Sequence, residues 1–217
     1  QAQPPVQPPG QGAGVAADAN GNVVVVGYGG GSGSQAANIT GLSPTGQTRW
    51  TTHVNSPEYE FSQDVVVDSQ GNIYVSGETE GTVGASSRGR YDIFVSKIDP
   101  AGNKLWTQQF GNAGFDYGRA ITIAPNGNIY VAGDGTSTTG EDLHLVQLTP
   151  DGEVVFSNRF VVPGREIGNG LTVGPDGSVY IVGHSDGSFG GLIQGPLDGF
   201  VAKFVPVPEP TGTCLAM

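Results

Sequence analysis

The chain repeats itself. One turn and the strand that follows it recur four times, as Ala19-Asn-Gly-Asn-Val23, Ser69-Gln-Gly-Asn-Ile-Tyr74, Pro125-Asn-Gly-Asn-Ile-Tyr130 and Pro175-Asp-Gly-Ser-Val-Tyr180. The turn glycines are Gly21, Gly71, Gly127 and Gly177, so the period is 50 to 56 residues. A period in this range marks an array of one supersecondary unit whose neighbours supply each other's core. The 37 glycines leave few windows long enough for a helix, and the apolar residues fall in short runs between turns. That is the pattern of an all-β chain.

The second unit shows the plan. A strand at Asp64–Asp68 turns through Ser69-Gln-Gly-Asn72 into a strand at Ile73–Gly77. A Gly- and Ser-rich loop leads to a third strand at Tyr91–Ile98. The turn Asp99-Pro-Ala-Gly102 then opens a fourth at Lys104–Phe110. Asn and Gly tolerate positive φ, and Pro presets the first central turn position. An aromatic residue stands four places after Gly46, Gly102 and Gly152, namely Trp50, Trp106 and Phe156, and reads as blade core. Four short strands joined by tight turns make an antiparallel meander. Runs such as Val23–Val26 and Val65–Val67 lack polar alternation, so both sheet faces should be buried. Sheets stacked face to face around an axis satisfy this, which is a β-propeller of four-stranded blades. A parallel β-helix is the competing architecture, but its repeats are shorter.

The units span about 13–56, 57–112, 113–162 and 163–205, between a Pro/Gln-rich linker at 1–12 and a Pro-rich segment at 206–217. The fourth unit has three strands, the last ending at Gly199-Phe-Val-Ala-Lys-Phe204. Three arrangements accommodate this: a four-bladed ring, an arc of a larger ring with further repeats on the N-terminal side, or a ring completed by another chain. The arc is the expectation.

The units resemble the bacterial β-propeller repeat known as SBBP, the seven-bladed propeller repeat. The likeness lies in Asp-x-x-Gly-Asn-Ile-Tyr-Val-x-Gly (Asp68 to Gly77) and in the strand Asp-x-Phe-Val-x-Lys, seen as Asp92–Lys97 and Asp198–Lys203. The third unit departs with Asp142-Leu-His-Leu-Val-Gln147, and the first has Ala36 in place of the Asp. The Gly-His and Trp-Asp signature of WD-type blades is absent. The resemblance covers residues 13–205 and implies fold rather than activity, since propellers host many functions. Separately, Val207, Pro208, Glu209 and Pro210 resemble the PEP-CTERM sorting motif, which in that family precedes a membrane span and an Arg-rich end. That resemblance implies export, processing by an exosortase-type enzyme, and delivery to the cell envelope or extracellular matrix of exopolysaccharide-producing bacteria. Membrane attachment would come only through a segment after Met217.

Chemistry-bearing residues are few. Glu60, Asp116 and Glu166 recur in register, five places ahead of the apolar run in each first strand. They suit a carboxylate ring at one mouth of the central channel, able to hold Ca²⁺, a hard cation that takes oxygen ligands. They equally suit caps for backbone N–H groups where blades join. Asp92, Asp142 and Asp198 precede the third strands, where an Asp accepts from the preceding turn. His53, His144 and His184 occupy non-equivalent places, and no Ser lies in a Gly-x-Ser-x-Gly elbow. The net charge of −11 disfavours nucleic acid. Cys214 is the lone cysteine, so no disulfide frame exists.

The expected function is therefore non-enzymatic: an exported surface or matrix protein presenting the loops at about 78–90, 133–141 and 183–197 to a polysaccharide, a surface protein or another copy. An extracellular propeller lyase or hydrolase, and a sensor ectodomain, are the alternatives.

Overall fold

A computed structural model describes residues 10–29, 35–138, 140–187, 189 and 195–205. Every regular element in them is a strand. Blade 1 holds β1 (Gln11–Ala17), β2 (Val23–Gly29), β3 (Ala36–Leu42) and β4 (Thr48–Val54). Blade 2 holds β5 (Glu60–Val67), β6 (Ile73–Thr79), β7 (Asp92–Ile98) and β8 (Lys104–Phe110). Blade 3 holds β9 (Asp116–Ile123), β10 (Ile129–Thr136), β11 (Gly140–Leu148) and β12 (Val154–Phe160). Blade 4 holds β13 (Gly164–Val173), β14 (Val179–Ser185) and β15 (Asp198–Phe204). Each blade is an antiparallel meander, so the β-propeller expectation stands. β1 starts at Gln11, inside the stretch read as linker, and the other innermost strands start at or before the in-register acids.

The glycines of the repeated turns do what the turn chemistry requires. Gly21, Gly71, Gly127 and Gly177 have φ of 79°, 82°, 86° and 78°, a region that only glycine enters cheaply. Asp18 and Asp68 fasten their turns by accepting from Asn22 and Asn72 through backbone and side chain.

Blades pack face on face. Val24, Val26, Ala37 and Ile39 of blade 1 meet Val65, Ile73, Val75 and Phe94 of blade 2. Tyr74, Ile93 and Val95 meet Ile121, Ile129 and Val131 at the next joint, and Tyr130, Leu143 and Leu145 meet Val179 and Ile181 at the third. Alternate residues of each second strand thus serve opposite neighbours, which explains the unalternated apolar runs. The outer rim is latched too. The Trp50 indole N–H donates to the Pro100 carbonyl at 3.2 Å, and Trp106 to Pro150 at 3.3 Å, each reaching the next blade's second turn. These tryptophans join blades rather than fill one.

At the second and third joints the entry to the innermost strand also pairs in parallel with the entry to the third strand of the blade before it. Tyr91 bridges Phe115, and Gly140 and Glu141 pair with Gly164 and Arg165. No strand pairing joins the first blade to the last, so the described blades form an open arc. Its two end faces are uncovered: Val15 is 68% exposed on blade 1, and Val182 and Val201 are 48% and 71% exposed on blade 4. Val23 and Val25 are accordingly half-buried, where their counterparts Ile73 and Val75 are buried.

Candidate functional site

The three acids Glu60, Asp116 and Glu166 stand at the starts of β5, β9 and β13, each 0% exposed and each at a different blade joint. Glu60 accepts from the Ser56 N–H at 2.9 Å, from the Ser56 hydroxyl and from the Thr79 hydroxyl at 3.1 Å. Asp116 accepts from the Asn112 N–H at 2.7 Å and is ion-paired with Arg159. Burial pushes its carboxyl up, against the pull of those donors. Glu166 accepts from the Ser185 hydroxyl at 2.8 Å, and burial raises its carboxyl as well. Each acid serves its own joint. Among the described residues no three His, Cys, Asp or Glu side chains gather closely enough to hold a metal ion. Asp92 accepts from the Arg88 N–H at 2.8 Å, as its place before a third strand predicts.

The sequence did not announce a second, better-developed constellation. Each innermost strand carries a β-bulge, at Ala13, Gln63, Arg119 and Asn169. A bulge leaves one residue outside the ladder and re-aims its side chain. Three of the four reach the second strand of their blade at one equivalent position. Gln63 donates to Glu78 at 2.7 Å, Arg119 is ion-paired with Asp134, and Asn169 meets His184 at 2.9 Å. The partners lie 15 residues apart in every case, and that constant spacing was the signal available in the sequence. Glu78 is 5% exposed and its Oε2 has no hydrogen-bond partner. Burial pushes its carboxyl up to about 7, only partly offset by Gln63 and Arg119, while Asp134 raises it further.

Around these pairs runs an aromatic belt. Tyr28 meets Phe61 edge-on at 4.8 Å, and Phe61 lies parallel to Tyr59 at 6.4 Å. Phe61 contacts Tyr91 at 6.1 Å, and Tyr91 contacts Phe115 and Tyr117 at 5.7 and 5.9 Å. The guanidinium of Arg90 stands 5.2 Å from the Phe115 ring centre, and that of Arg119 5.1 Å from Tyr117. All six rings are only partly covered, Tyr59 by the least at 39% exposed. In blade 4 the belt stops, because Arg165 and Ile167 stand where Phe115 and Tyr117 do in blade 3.

Strand direction puts the belt, the bulge pairs and the loops between second and third strands at the same end of the arc. The described parts of those loops are 80–91, 137–138, 186–187, 189 and 195–197. At the opposite end, a groove of about 730 Å³ separates blades 3 and 4, lined by Tyr130, Phe156, Phe160 and Phe204. The matching groove between blades 1 and 2 is about 180 Å³, because Trp50 and Pro100 meet there. Val207–Pro210, the stretch that resembles a sorting motif, lies outside the described residues.

The family model for the SBBP β-propeller repeat matches this chain twice, at residues 49–84 and 105–140. Each match spans a boundary between units, from a fourth strand into the next blade. Similar folds occur in a protein of unknown function from Bacteroides caccae (13% identity, TM-score 0.50) and in the hydrazine synthase of Kuenenia stuttgartiensis (14% identity, TM-score 0.57). These alignments cover 82% and 81% of this chain but 55% and 44% of those chains, so it spans about half their length. At such identity the likeness concerns the fold alone. No curated protein matches the chain. The chain is a β-propeller repeat protein.

Proposed function

We propose that this chain is a binding module of an exported cell-surface or matrix protein, and that its ligand is a polysaccharide. The observation that carries the reading is the belt of Tyr28, Tyr59, Phe61, Tyr91, Phe115 and Tyr117, which shares one end of the arc with the variable loops. Partly exposed aromatic rings offer flat apolar faces with polar edges, and the neighbouring Glu80, Arg90 and Arg119 supply hydrogen-bonding partners for hydroxyl groups. Loops that vary on a repeated frame are where binding concentrates. The four-blade arc is read as part of a larger ring, seven-bladed as the SBBP resemblance implies. Export through a PEP-CTERM and exosortase-type route rests on Val207 to Pro210.

The test is binding to immobilised neutral and acidic exopolysaccharides, comparing the parent with Tyr59→Ala and Arg90→Ala. Both sites are exposed, so folding should survive. At least a tenfold loss of affinity in each variant, about 1.4 kcal/mol, is expected. Undiminished binding in both would refute the belt as the binding face.

A second reading, an extracellular lyase or hydrolase, draws on Glu78 alone: a buried carboxyl with its pKa raised to about 7 at the same end of the arc. Release of reducing ends from those polysaccharides, abolished by Glu78→Gln, would support it.

A further inference from the structure

We infer that the joint between blades 3 and 4 is a Ca²⁺ site built on Asp142 and Glu166. β11 and β13 pair in parallel here, Gly140 with Gly164 and Glu141 with Arg165. Glu141 and Arg165 point outward and form an ion pair at 2.7 Å, with side chains 33% and 53% exposed. Side chains alternate along a strand, so the next two residues, Asp142 and Glu166, turn together to the inner side. Both are 0% exposed. Neither oxygen of Asp142 has a hydrogen-bond partner, and neither does Oε2 of Glu166. Among the described residues the one donor to the pair is the Ser185 hydroxyl, at 2.8 Å from Glu166 Oε1.

The repeat supplies its own controls. At the joint of blades 2 and 3, Asp92 and Asp116 occupy the same two places and flank Gly111. They receive the Arg88 and Asn112 N–H groups, the Gln109 amide and the Arg159 guanidinium. At the first joint Ala36 stands in place of the upstream acid, so Glu60 is alone and takes three donors. The third joint keeps both acids and loses the donors. Val162 stands where Ser56 does, four places before the acid, and brings no hydroxyl to replace the one that Ser56 gives Glu60. Arg159, the counterpart of Gln109 on the fourth strand, turns instead to Asp116 and the Thr136 carbonyl.

Two buried carboxylates without compensation are strongly unfavourable unless a positive charge joins them. Oxygen atoms border the Glu166 carboxylate. A Cβ on Gly187 would run into the Pro163 carbonyl and stand 2.8 Å from Glu166 Oε1, so only glycine leaves this corner open. Asp186 lies beside the pair, its Oδ1 accepting from the Arg165 N–H at 2.7 Å. Two carboxylates completed by carbonyl oxygen and water suit Ca²⁺, which tolerates irregular oxygen coordination, better than a metal that needs nitrogen or sulfur. The set differs from a ring at the channel mouth: it is a pair within one joint.

The experiment is thermal unfolding of the full chain at pH 7.5, after chelation and then with Ca²⁺ or Mg²⁺ added at millimolar concentration. Ca²⁺ should raise Tm by about 5 °C or more, and Mg²⁺ by less. Asp142→Asn should raise the Tm of the chelated protein, since it removes one uncompensated charge, and should erase the Ca²⁺ response. Asp92→Asn, at the joint where donors reach both acids although Asp92 Oδ1 has no partner, should lower Tm and leave the response intact. If Ca²⁺ leaves Tm unchanged while acidification from pH 7.5 to 6 raises it more in the parent than in Asp142→Asn, no cation joins the pair and the assignment fails. It fails equally if the Ca²⁺ response survives in Asp142→Asn.

Discussion

Asp64 of blade 2 accepts a hydrogen bond from the backbone N–H of Ile121 in blade 3, 57 residues along the chain, at 3.0 Å. Ile121 follows the bulge of its strand, and Asp64 follows the bulge of its own, so an irregularity in two strands is converted into a tie between two blades. A second bond, from the Val65 N–H at 2.8 Å, holds the carboxylate in place.

Asp64→Ala should therefore lower stability by about 1–3 kcal/mol, the effect of leaving a buried N–H unpaired. Asp64→Asn, which retains an acceptor, should lose about half as much or less. Urea unfolding monitored by tryptophan fluorescence measures both.

Trp50 and Trp106 are read as latches between blades. Trp50→Phe keeps the apolar cover over Gly102 and removes the bond to Pro100, so it should cost about 1 kcal/mol. Trp50→Ala removes both and should cost about 2–3 kcal/mol, below the range for a fully buried ring because Trp50 is half-buried. Equal losses in the two variants would mean that the hydrogen bond alone makes the latch.

Glu78 sets a pH dependence with a definite sign. Its folded pKa, about 7, is above the 4.5 of an exposed Glu, so the folded protein holds the proton more tightly. The stability this contributes is complete below about pH 4.5 and is lost as pH rises through 7, on the order of 3 kcal/mol in total. His144 acts the other way. Burial holds its imidazole down to about 3, so stability is lost as pH falls below 6.5. Comparing Glu78→Gln with the parent separates the two: the variant should be the more stable at pH 8, with the difference shrinking towards pH 5. A difference that does not vary with pH would show that Glu78 does not titrate in this range.

The uncovered end face of blade 4 makes a further prediction. Val182→Lys with Val201→Glu should change stability by less than about 0.5 kcal/mol, because both side chains are exposed and the new charges, directly opposite in the ladder, are of opposite sign. It should also reduce binding of a hydrophobic dye, the signal of the exposed apolar face. The same double change at Ile129 and Val131, both 0% exposed, should prevent folding.

The sequence made some of this plain for physical reasons. Turn chemistry is local, so Gly71 and Asp68 could be placed from their letters alone, as could the four-strand plan. The bulge pairs were hidden because Gln63, Arg119 and Asn169 share no residue type. Their partners Glu78, Asp134 and His184 share none either. Only the ladder register brings them together. The unequal treatment of the in-register acids was hidden for a related reason. Glu60, Asp116 and Glu166 look alike in sequence, yet what surrounds each depends on donors drawn from other strands, such as Arg159 and Ser185.

Each latch and each parallel bridge ties a blade only to the one beside it: Trp50 to Pro100, Trp106 to Pro150, Tyr91 to Phe115. Nothing in such a joint counts the members of the array. A gene encoding this chain can therefore gain or lose whole units by duplication or deletion in frame while disturbing only the seams at the point of change. The number of blades is a quantity that evolution can adjust in steps of about fifty residues, with repair confined to the new seam.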